Sequence, residues 1–206
     1  MSVDYYTSSL YPLQDKVLRL VEKTNHSFYL TGGTALSRHY LHHRYSDDLD
    51  FFLNDNPNFK KEAGELVSLF QKTFSSVQIG VSDEHFLRLF IKDREVELKV
   101  EFINDVLFYV GDNEKTPLFH LTDNWKNILT NKISALGRNE PKDIADILFI
   151  CMKFSFNWIE MVEFAKKKDI WVNEIEVSKI IHEFDMARLE KVKWITVPDY
   201  KKLMFL

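Results

Sequence analysis

The segment Phe28-Tyr-Leu-Thr-Gly-Gly-Thr-Ala-Leu36 decides the fold of this 206-residue chain. Its apolar start stops at Thr31, which predicts a short strand, and the residues after the two glycines are typical of a helix. Gly32 and Gly33 permit positive φ and a close approach of the backbone to a ligand, and the start of the helix suits a phosphate. A strand-to-helix turn without a ligand is the alternative, and it is the commoner meaning of an isolated glycine pair.

A second segment, Asp48-Leu-Asp-Phe-Phe52, has the pattern of a half-buried strand. Alternate residues share one face, so Asp48 and Asp50 lie side by side while the residues between them enter the core. Adjacent carboxylates repel each other unless a cation or a shared proton lies between them. Magnesium takes one or two carboxylates with substrate phosphates and water. An acidic strand end in solvent is the alternative, and Asp47 is expected to be such a surface acid.

A third polar row lies in residues 95–102, Glu-Val-Glu-Leu-Lys-Val-Glu-Phe, which alternate strictly between polar and apolar side chains. The pattern predicts a strand with Glu97, Lys99 and Glu101 on one face. If this strand lies near Asp48 and Asp50, it brings them a third acid. A solvent-facing row partly neutralised by Lys99 is the alternative.

A fourth group of polar residues falls in two predicted helices. Lys132 sits in a mostly apolar helix, where its ammonium can serve as a point charge for a triphosphate. It can equally pair with Asp143 or Asp146, which are spaced to share a face of the next helix. The sequence leaves these two possibilities open.

The remaining patterns place strands early and helices late, which predicts an α+β fold: a small mixed β-sheet core flanked by helices, then a helical C-terminal region. We divide the chain into residues 1–115, the core, and residues 116–206, a helical region that completes the site. The further predicted strands are Val77–Val81 and His85–Ile91. The predicted helices are Pro12–His26, Ala35–His43, Phe59–Phe74, Asp123–Leu136 with Gly137 as its C-cap, Pro141–Phe154, a helix from Asn157 through Lys168, Val177–Phe184 and Met186–Trp194.

Composition limits the class of protein. Hydrophobic residues make up 45% of the chain and the net charge is −4, as in an ordinary soluble globular protein. The acidic excess lies in residues 1–110, so the charge does not favour a dedicated nucleic-acid binder, although such a partner is not excluded. A single cysteine, Cys151, excludes an internal disulfide and a cysteine zinc site, and it predicts a reducing, cytoplasmic location. No membrane span or signal peptide is expected.

Three blocks of sequence, taken in the order in which they occur, resemble a known protein family. Leu30-Thr-Gly-Gly-Thr-Ala-Leu36, His43-Arg-Tyr-Ser-Asp-Asp-Leu-Asp-Phe-Phe52 and the lysine, arginine and acids between positions 132 and 146 together resemble the AbiEii/AbiGii toxin family. That family belongs to the DNA polymerase beta-like nucleotidyltransferase superfamily. The resemblance runs from about residue 28 to residue 150, and residues 151–206 carry no motif of this kind.

The resemblance implies two groups of site residues. The implied catalytic acids and ligands of Mg2+, as a two-ion site, are Asp48, Asp50 and Glu101, with Glu97 as the second choice for the third acid. The implied nucleotide-binding residues are Gly32, Gly33, Thr34, Arg44, Ser46, Lys132 and Asp143. An aspartate is commoner than a glutamate at the third acidic position of the superfamily.

The resemblance also implies a reaction. A nucleoside monophosphate would pass from a nucleoside triphosphate such as ATP to an acceptor hydroxyl, with release of pyrophosphate. The implied role is the toxin of a bacterial toxin–antitoxin pair, with tRNA or a protein as acceptor and an antitoxin as partner. An antibiotic- or metabolite-modifying transferase and an inactive nucleotide-binding relative are the alternatives.

Overall fold

The computed structural model describes residues 3–203, apart from the side chains at positions 201 and 202. Strands with alternating polar and apolar side chains form one five-stranded sheet. The strands are β1 (Tyr29–Thr31), β2 (Leu49–Asn54), β3 (Ser76–Ser82), β4 (Phe86–Asp93) and β5 (Val96–Asp105). The helices are α1 (Val3–Tyr5), α2 (Tyr11–Glu22), α3 (Gly32–Ala35), α4 (Phe59–Thr73), α5 (Trp125–Ser134), α6 (Pro141–Lys153), α7 (Trp158–Lys168), α8 (Glu174–Glu183) and α9 (Tyr200–Leu203). In this part of the chain no helix is both long and apolar enough to cross a membrane.

The sheet has the strand order β1-β2-β5-β4-β3. Strands β2 and β5 run parallel, and the other neighbours are antiparallel. The register of the parallel pair sets Leu49 beside Val100 and Asp50 beside Glu101. The predicted α+β fold with a small mixed sheet is therefore confirmed, and the strand of Glu101 does lie next to the strand of Asp50.

Buried aromatic side chains fix this register. Phe51 and Phe102 stack on the inner face of the sheet with ring centroids 5.2 Å apart, and both are fully buried. Phe28 meets Phe102 edge-on at 4.9 Å. A shift of one residue in the pairing would bring the phenylalanines to the polar face and the carboxylates into the core. Core packing thus positions the acids.

Several predicted helices differ from the structure: Pro12–His26 ends at Glu22, and Met186–Trp194 is a 3-10 helix over Met186–Lys191. Helix α5 ends at Ser134, and after a short 3-10 turn the chain reverses at Asn139 with φ 53°, so Gly137 is not the C-cap. Asparagine tolerates this left-handed conformation because its side chain is short and polar. The predicted helix Ala35–His43 is α-helical only to Ala35 and continues as a wider π-helix, Leu36–Leu41.

The segment between β5 and α5 packs against β1. The amide of Leu30 donates to the carbonyl of Leu121, and the amide of Asp123 donates to the carbonyl of Leu30, each at 2.8 Å. These bonds bring the start of the helical region beside the turn after β1. The division into residues 1–115 and 116–206 stays a prediction.

Candidate active site

A cavity of about 560 Å³ opens over the polar face of β2 and β5. All of the predicted site residues except Thr34 line it. Thr34 lies just behind the wall, where its hydroxyl donates to the backbone carbonyl of Asp48. The sequence therefore named residues that the fold brings to one place.

The glycine turn approaches three site residues so closely that no side chain fits. Gly32 has φ 68°, and a Cβ there would overlap the carboxylate of Asp50. A Cβ on Gly33 would lie 2.6 Å from Nη2 of Arg44 and 3.0 Å from Oγ of Ser46. Both glycines are needed for close packing, and Gly32 also for its backbone conformation.

Three carboxylates share the cavity floor. Asp50 is part-buried beside Glu101, and Asp48 lies two residues earlier, just before β2, on the same face. Burial, together with the charges of Asp48 and Glu101, raises the pKa of Asp50 to about 7, against the opposing charges of Lys99 and Lys132. Burial is thus the main reason why ionisation of Asp50 is disfavoured.

Two cations touch these acids. Nζ of Lys99 lies 2.8 Å from Oδ2 of Asp48 and 3.4 Å from Oε1 of Glu101. Nε of Arg88 donates to Oε1 of Glu101 at 2.6 Å. Lys99, expected only to neutralise the strand face, therefore belongs to the site itself.

The donor chemistry of this face fits magnesium, because all three acids offer hard carboxylate oxygens on neighbouring strands. The pKa of Asp50 is raised first by burial and then by the charges of Asp48 and Glu101, and a bound cation would oppose both effects. Within residues 3–203, however, no three ligating side chains already surround a common point. The ammonium of Lys99 lies against Asp48 on this face. Asp48, Asp50 and Glu101 could hold the metal once Lys99 moves aside.

A buried ion cluster forms the wall beside the glycine turn. The Nε and Nη2 atoms of Arg44 contact the two carboxylate oxygens of Asp146 at 2.6 and 2.8 Å. Lys132 Nζ lies 2.6 Å from Asp143 and 2.7 Å from Asp146, and Arg138 also donates to Asp143. Burial alone would raise the pKa of Asp146, but Arg44 and Lys132 hold it well below its usual range. Lys132 is thus paired with both acids while it lines the cavity.

Glu97 and Asp47 occupy different places relative to the cavity. Glu97 is exposed, lies opposite Lys92 of β4 in the strand register and is outside the cavity wall, whereas Glu101 is part of that wall. Asp47 lines the cavity and accepts hydrogen bonds from Tyr6 at 2.7 Å and from Lys193 at 2.6 Å. The Asp47 side chain is 43% exposed, as predicted for a surface acid, but it also links two distant parts of the chain.

Sequence reasoning missed a second polar network, centred on Asp123. This fully buried carboxylate accepts from Thr31, from Tyr109 at 2.8 Å and from Asn127 at 3.0 Å. Burial raises its pKa to about 6 against the effect of these bonds. In the sequence Asp123 merely precedes a predicted helix, and nothing in the local pattern signals a link to the turn after β1.

Two solved structures share the fold. JHP933 from Helicobacter pylori is 16% identical, with a TM-score of 0.63 over 96% of this chain and 88% of its own. A second H. pylori protein, provisionally described as a nucleotidyltransferase, is 17% identical, with a TM-score of 0.59 over 100% of this chain and 92% of its own. No curated protein sequence matches the chain significantly.

A family model extends this likeness to the sequence. The model described as "Nucleotidyl transferase AbiEii toxin, Type IV TA system" matches residues 19–204. The match covers the sheet, every residue of the cavity wall and the C-terminal helices in which no motif was evident. The protein therefore belongs to the AbiEii family of nucleotidyltransferase toxins and is a nucleotidyltransferase.

Proposed function

We propose that this enzyme transfers a nucleoside monophosphate from a nucleoside triphosphate to an acceptor hydroxyl, with Asp48, Asp50 and Glu101 as the ligands of two magnesium ions. The observation that carries the proposal is the in-register placement of Asp50 beside Glu101 on the floor of the cavity. Membership of the family supports the reaction class. The metal, the nucleotide and the acceptor are proposed from the side chains.

The three neighbouring acids provide negative charge that a bound cation would balance. When bound, magnesium neutralises charge on the phosphates and lowers the pKa of the acceptor hydroxyl. The carboxylate of Asp50 lies directly against Gly32, beside the glycine turn. Asp48 is the acid that exchanges its contact with Lys99 for the metal.

The proposed reaction is a single displacement at the α-phosphorus. The acceptor oxygen forms a bond to the α-phosphorus, the bond from that phosphorus to the bridging oxygen breaks, and pyrophosphate leaves with the electron pair. Glu101 takes the proton of the acceptor hydroxyl, and the contact with Arg88 orients its carboxylate.

The polyphosphate would lie along the glycine turn. Because Gly32 and Gly33 have no side chains, the backbone is accessible to the polyphosphate there. Arg138 and Lys142 also line this end of the cavity. Lys132 keeps its predicted contact with phosphate in this proposal, with Asp143 fixing the position of its ammonium. Arg44 and Ser46 act behind the turn, because both pack directly against Gly33.

The biological role follows the family. We propose a toxin with a cognate antitoxin, which family membership supports. We further propose tRNA or a protein as its acceptor. The net charge of −4 offers no general attraction to nucleic acid, so an RNA acceptor would depend on local contacts.

Label transfer tests the proposal. Each α-labelled nucleoside triphosphate is incubated with the enzyme, magnesium and cell extract, and label is measured in RNA, protein and small molecules. We expect label in RNA or protein with the wild-type enzyme and none with Asp50→Asn. Label only in small molecules would favour the metabolite-modifying alternative. No label in any fraction would favour the inactive relative, and wild-type transfer by Asp50→Asn would sink the assignment.

A further inference from the structure

The cavity has two chemically different ends. Thr31 pairs with Asp50 and β1 runs antiparallel to β2, so Gly32 and Gly33 lie toward the start of β2. This end, with the cavity-lining cations Arg138 and Lys142, is called the phosphate end.

Further along the parallel strands, the same cavity face carries Phe52, Ile103 and Asp105. Lys168 and Asp169 of the C-terminal helices also line the cavity, and Asp105 is close enough to Lys168 for its charge to act on the ammonium. At this second end Phe52 and Ile103 form an apolar wall, and Asp105, Lys168 and Asp169 are its charged residues. About 13 Å of strand separates Asp105 from Glu101, a distance that spans a nucleoside rather than a single contact.

Lys168 differs from most other cations of the cavity wall. Its Nζ donates to the amide oxygens of Asn127, at 2.7 Å, and Asn131, at 2.5 Å. It forms no ion pair within residues 3–203. By contrast, each of the cavity cations Arg44, Lys99, Lys132 and Arg138 contacts a carboxylate. A lysine ammonium has three N–H donors and no acceptor, so one donor of Lys168 is left for a ligand.

The position of Lys168 is fixed by a buried network. Asn127 is fully buried; its Nδ2 donates to Asp123 at 3.0 Å, and its Oδ1 accepts from the amide of Val110 at 3.1 Å. These bonds settle the orientation of the amide, so that its oxygen faces Lys168. Burial lowers the pKa of Lys168, while the charges of Asp123 and Asp105 oppose that shift.

We infer that Lys168 donates a hydrogen bond to the nucleoside part of the substrate, and this inference rests on the proposed function. With the α-phosphate over Asp50 and Glu101 and the polyphosphate at the phosphate end, the nucleoside must extend toward Phe52 and Ile103. Apolar walls with a few fixed polar groups are typical of sites for such ligands. Because lysine only donates, the atom it contacts is a base carbonyl, a ring nitrogen or a ribose oxygen.

Binding measurements on the full chain separate the two ends. The four ribonucleoside triphosphates and inorganic tripolyphosphate are titrated by calorimetry, with magnesium present, against the wild-type protein and three variants. Lys168→Gln should weaken the best-binding nucleotide about tenfold, as expected for a lost hydrogen bond to a charged group, and leave tripolyphosphate unchanged. Lys142→Gln should weaken both ligands. Lys167→Gln, which alters the exposed neighbouring lysine, should change neither.

A structural role for Lys168 is distinguished by thermal melting of the same variants and by Lys168→Arg, which keeps a donor and should restore part of the nucleotide affinity. Nucleotide binding by Lys168→Gln at the wild-type level would overturn the inference and leave the proposed function intact. An equal loss of tripolyphosphate affinity would overturn it too, because Lys168 would then contact phosphate. A wild-type protein that binds no nucleotide would overturn both.

Discussion

At the scale of single residues, the fold places a carboxylate of the site where its ionised form is disfavoured. Asp50 sits between Asp48 and Glu101, and burial together with these charges raises its pKa to about 7. Above that pH, ionisation of Asp50 destabilises the metal-free folded state, whereas it does not destabilise the unfolded chain. Active sites commonly sacrifice stability for function in this way.

The first prediction therefore concerns stability. Asp50→Asn keeps the shape of the side chain but removes the charge, so it should stabilise the metal-free protein by about 0.5–2 kcal/mol at pH 8 while it removes transfer. Urea unfolding with a chelator present measures the difference. Asp55→Asn, a change outside the carboxylate cluster, serves as the control. A clear loss of stability in Asp50→Asn would contradict the account of the cluster.

Gly32 gives a second prediction. Gly32→Ala puts a methyl group against the carboxylate of Asp50 at a φ of 68°, so the carboxylate must move. A displacement of about 1 Å can cost roughly a hundredfold in rate, and we expect a loss of that order in transfer. Gly64→Ala is the matched control, because a Cβ on Gly64 meets nothing within 4 Å. Equal activity of the two variants would show that the close approach has no function.

At the scale of elements, a buried ion cluster joins helix α6 to the segment before β2. Asp146 of α6 is fully buried and meets Arg44, Lys132 and His43, the last at 2.9 Å. Removal of one partner from such a cluster leaves buried charge without compensation.

We accordingly expect Asp146→Asn to lower the free energy of unfolding by about 3–5 kcal/mol. Denaturant unfolding measures this, and Lys166→Gln is the control, because Lys166 forms only surface ion pairs with Glu163 and Glu174. A small effect of Asp146→Asn, similar to that of the control, would mean that the cluster does not hold α6 in place.

The elements also show how far the sequence could predict the structure. Period-two alternation located Asp48, Asp50 and Glu101 on shared strand faces, because side-chain direction in a strand is a local property. The glycine pair could also be interpreted from local sequence, because adjacent glycines after an apolar run indicate a turn. Lys168 was not, since it lies in a run of three lysines at a helix end and its amide partners are 37 and 41 residues away. Lys132 was left undecided for a related reason: only the fold shows that it meets both Asp143 and Asp146.

At the scale of the whole molecule, several buried groups make the fold sensitive to acid. Burial lowers the pKa of His26 to about 4, helped by the charge of His120, and burial also lowers the pKa of His43. In the unfolded chain both histidines titrate near 6.5. Because the unfolded state then binds more protons, stability falls as the pH drops from about 6.5 toward 4.

The corresponding prediction is a loss of unfolding free energy over that range, measured by urea unfolding at successive pH values. His26→Phe should reduce the slope, since phenylalanine keeps the ring contacts with Phe28 and Phe119 and cannot take up a proton. His182→Phe, a change in helix α8 far from these rings in sequence, should leave the slope unchanged. A slope that is identical in wild type and His26→Phe would contradict this explanation.

The central claim is that Asp48, Asp50 and Glu101 support metal-dependent nucleotidyl transfer. It is tested most directly by one assay with a triphosphate labelled at both the α- and γ-phosphates, in the presence of the acceptor fraction. The account predicts that α-label joins the acceptor in equal amount to γ-label released as pyrophosphate, and that a chelator or Asp50→Asn abolishes both. Transfer of the γ-label, or transfer that survives the loss of Asp50, would contradict it.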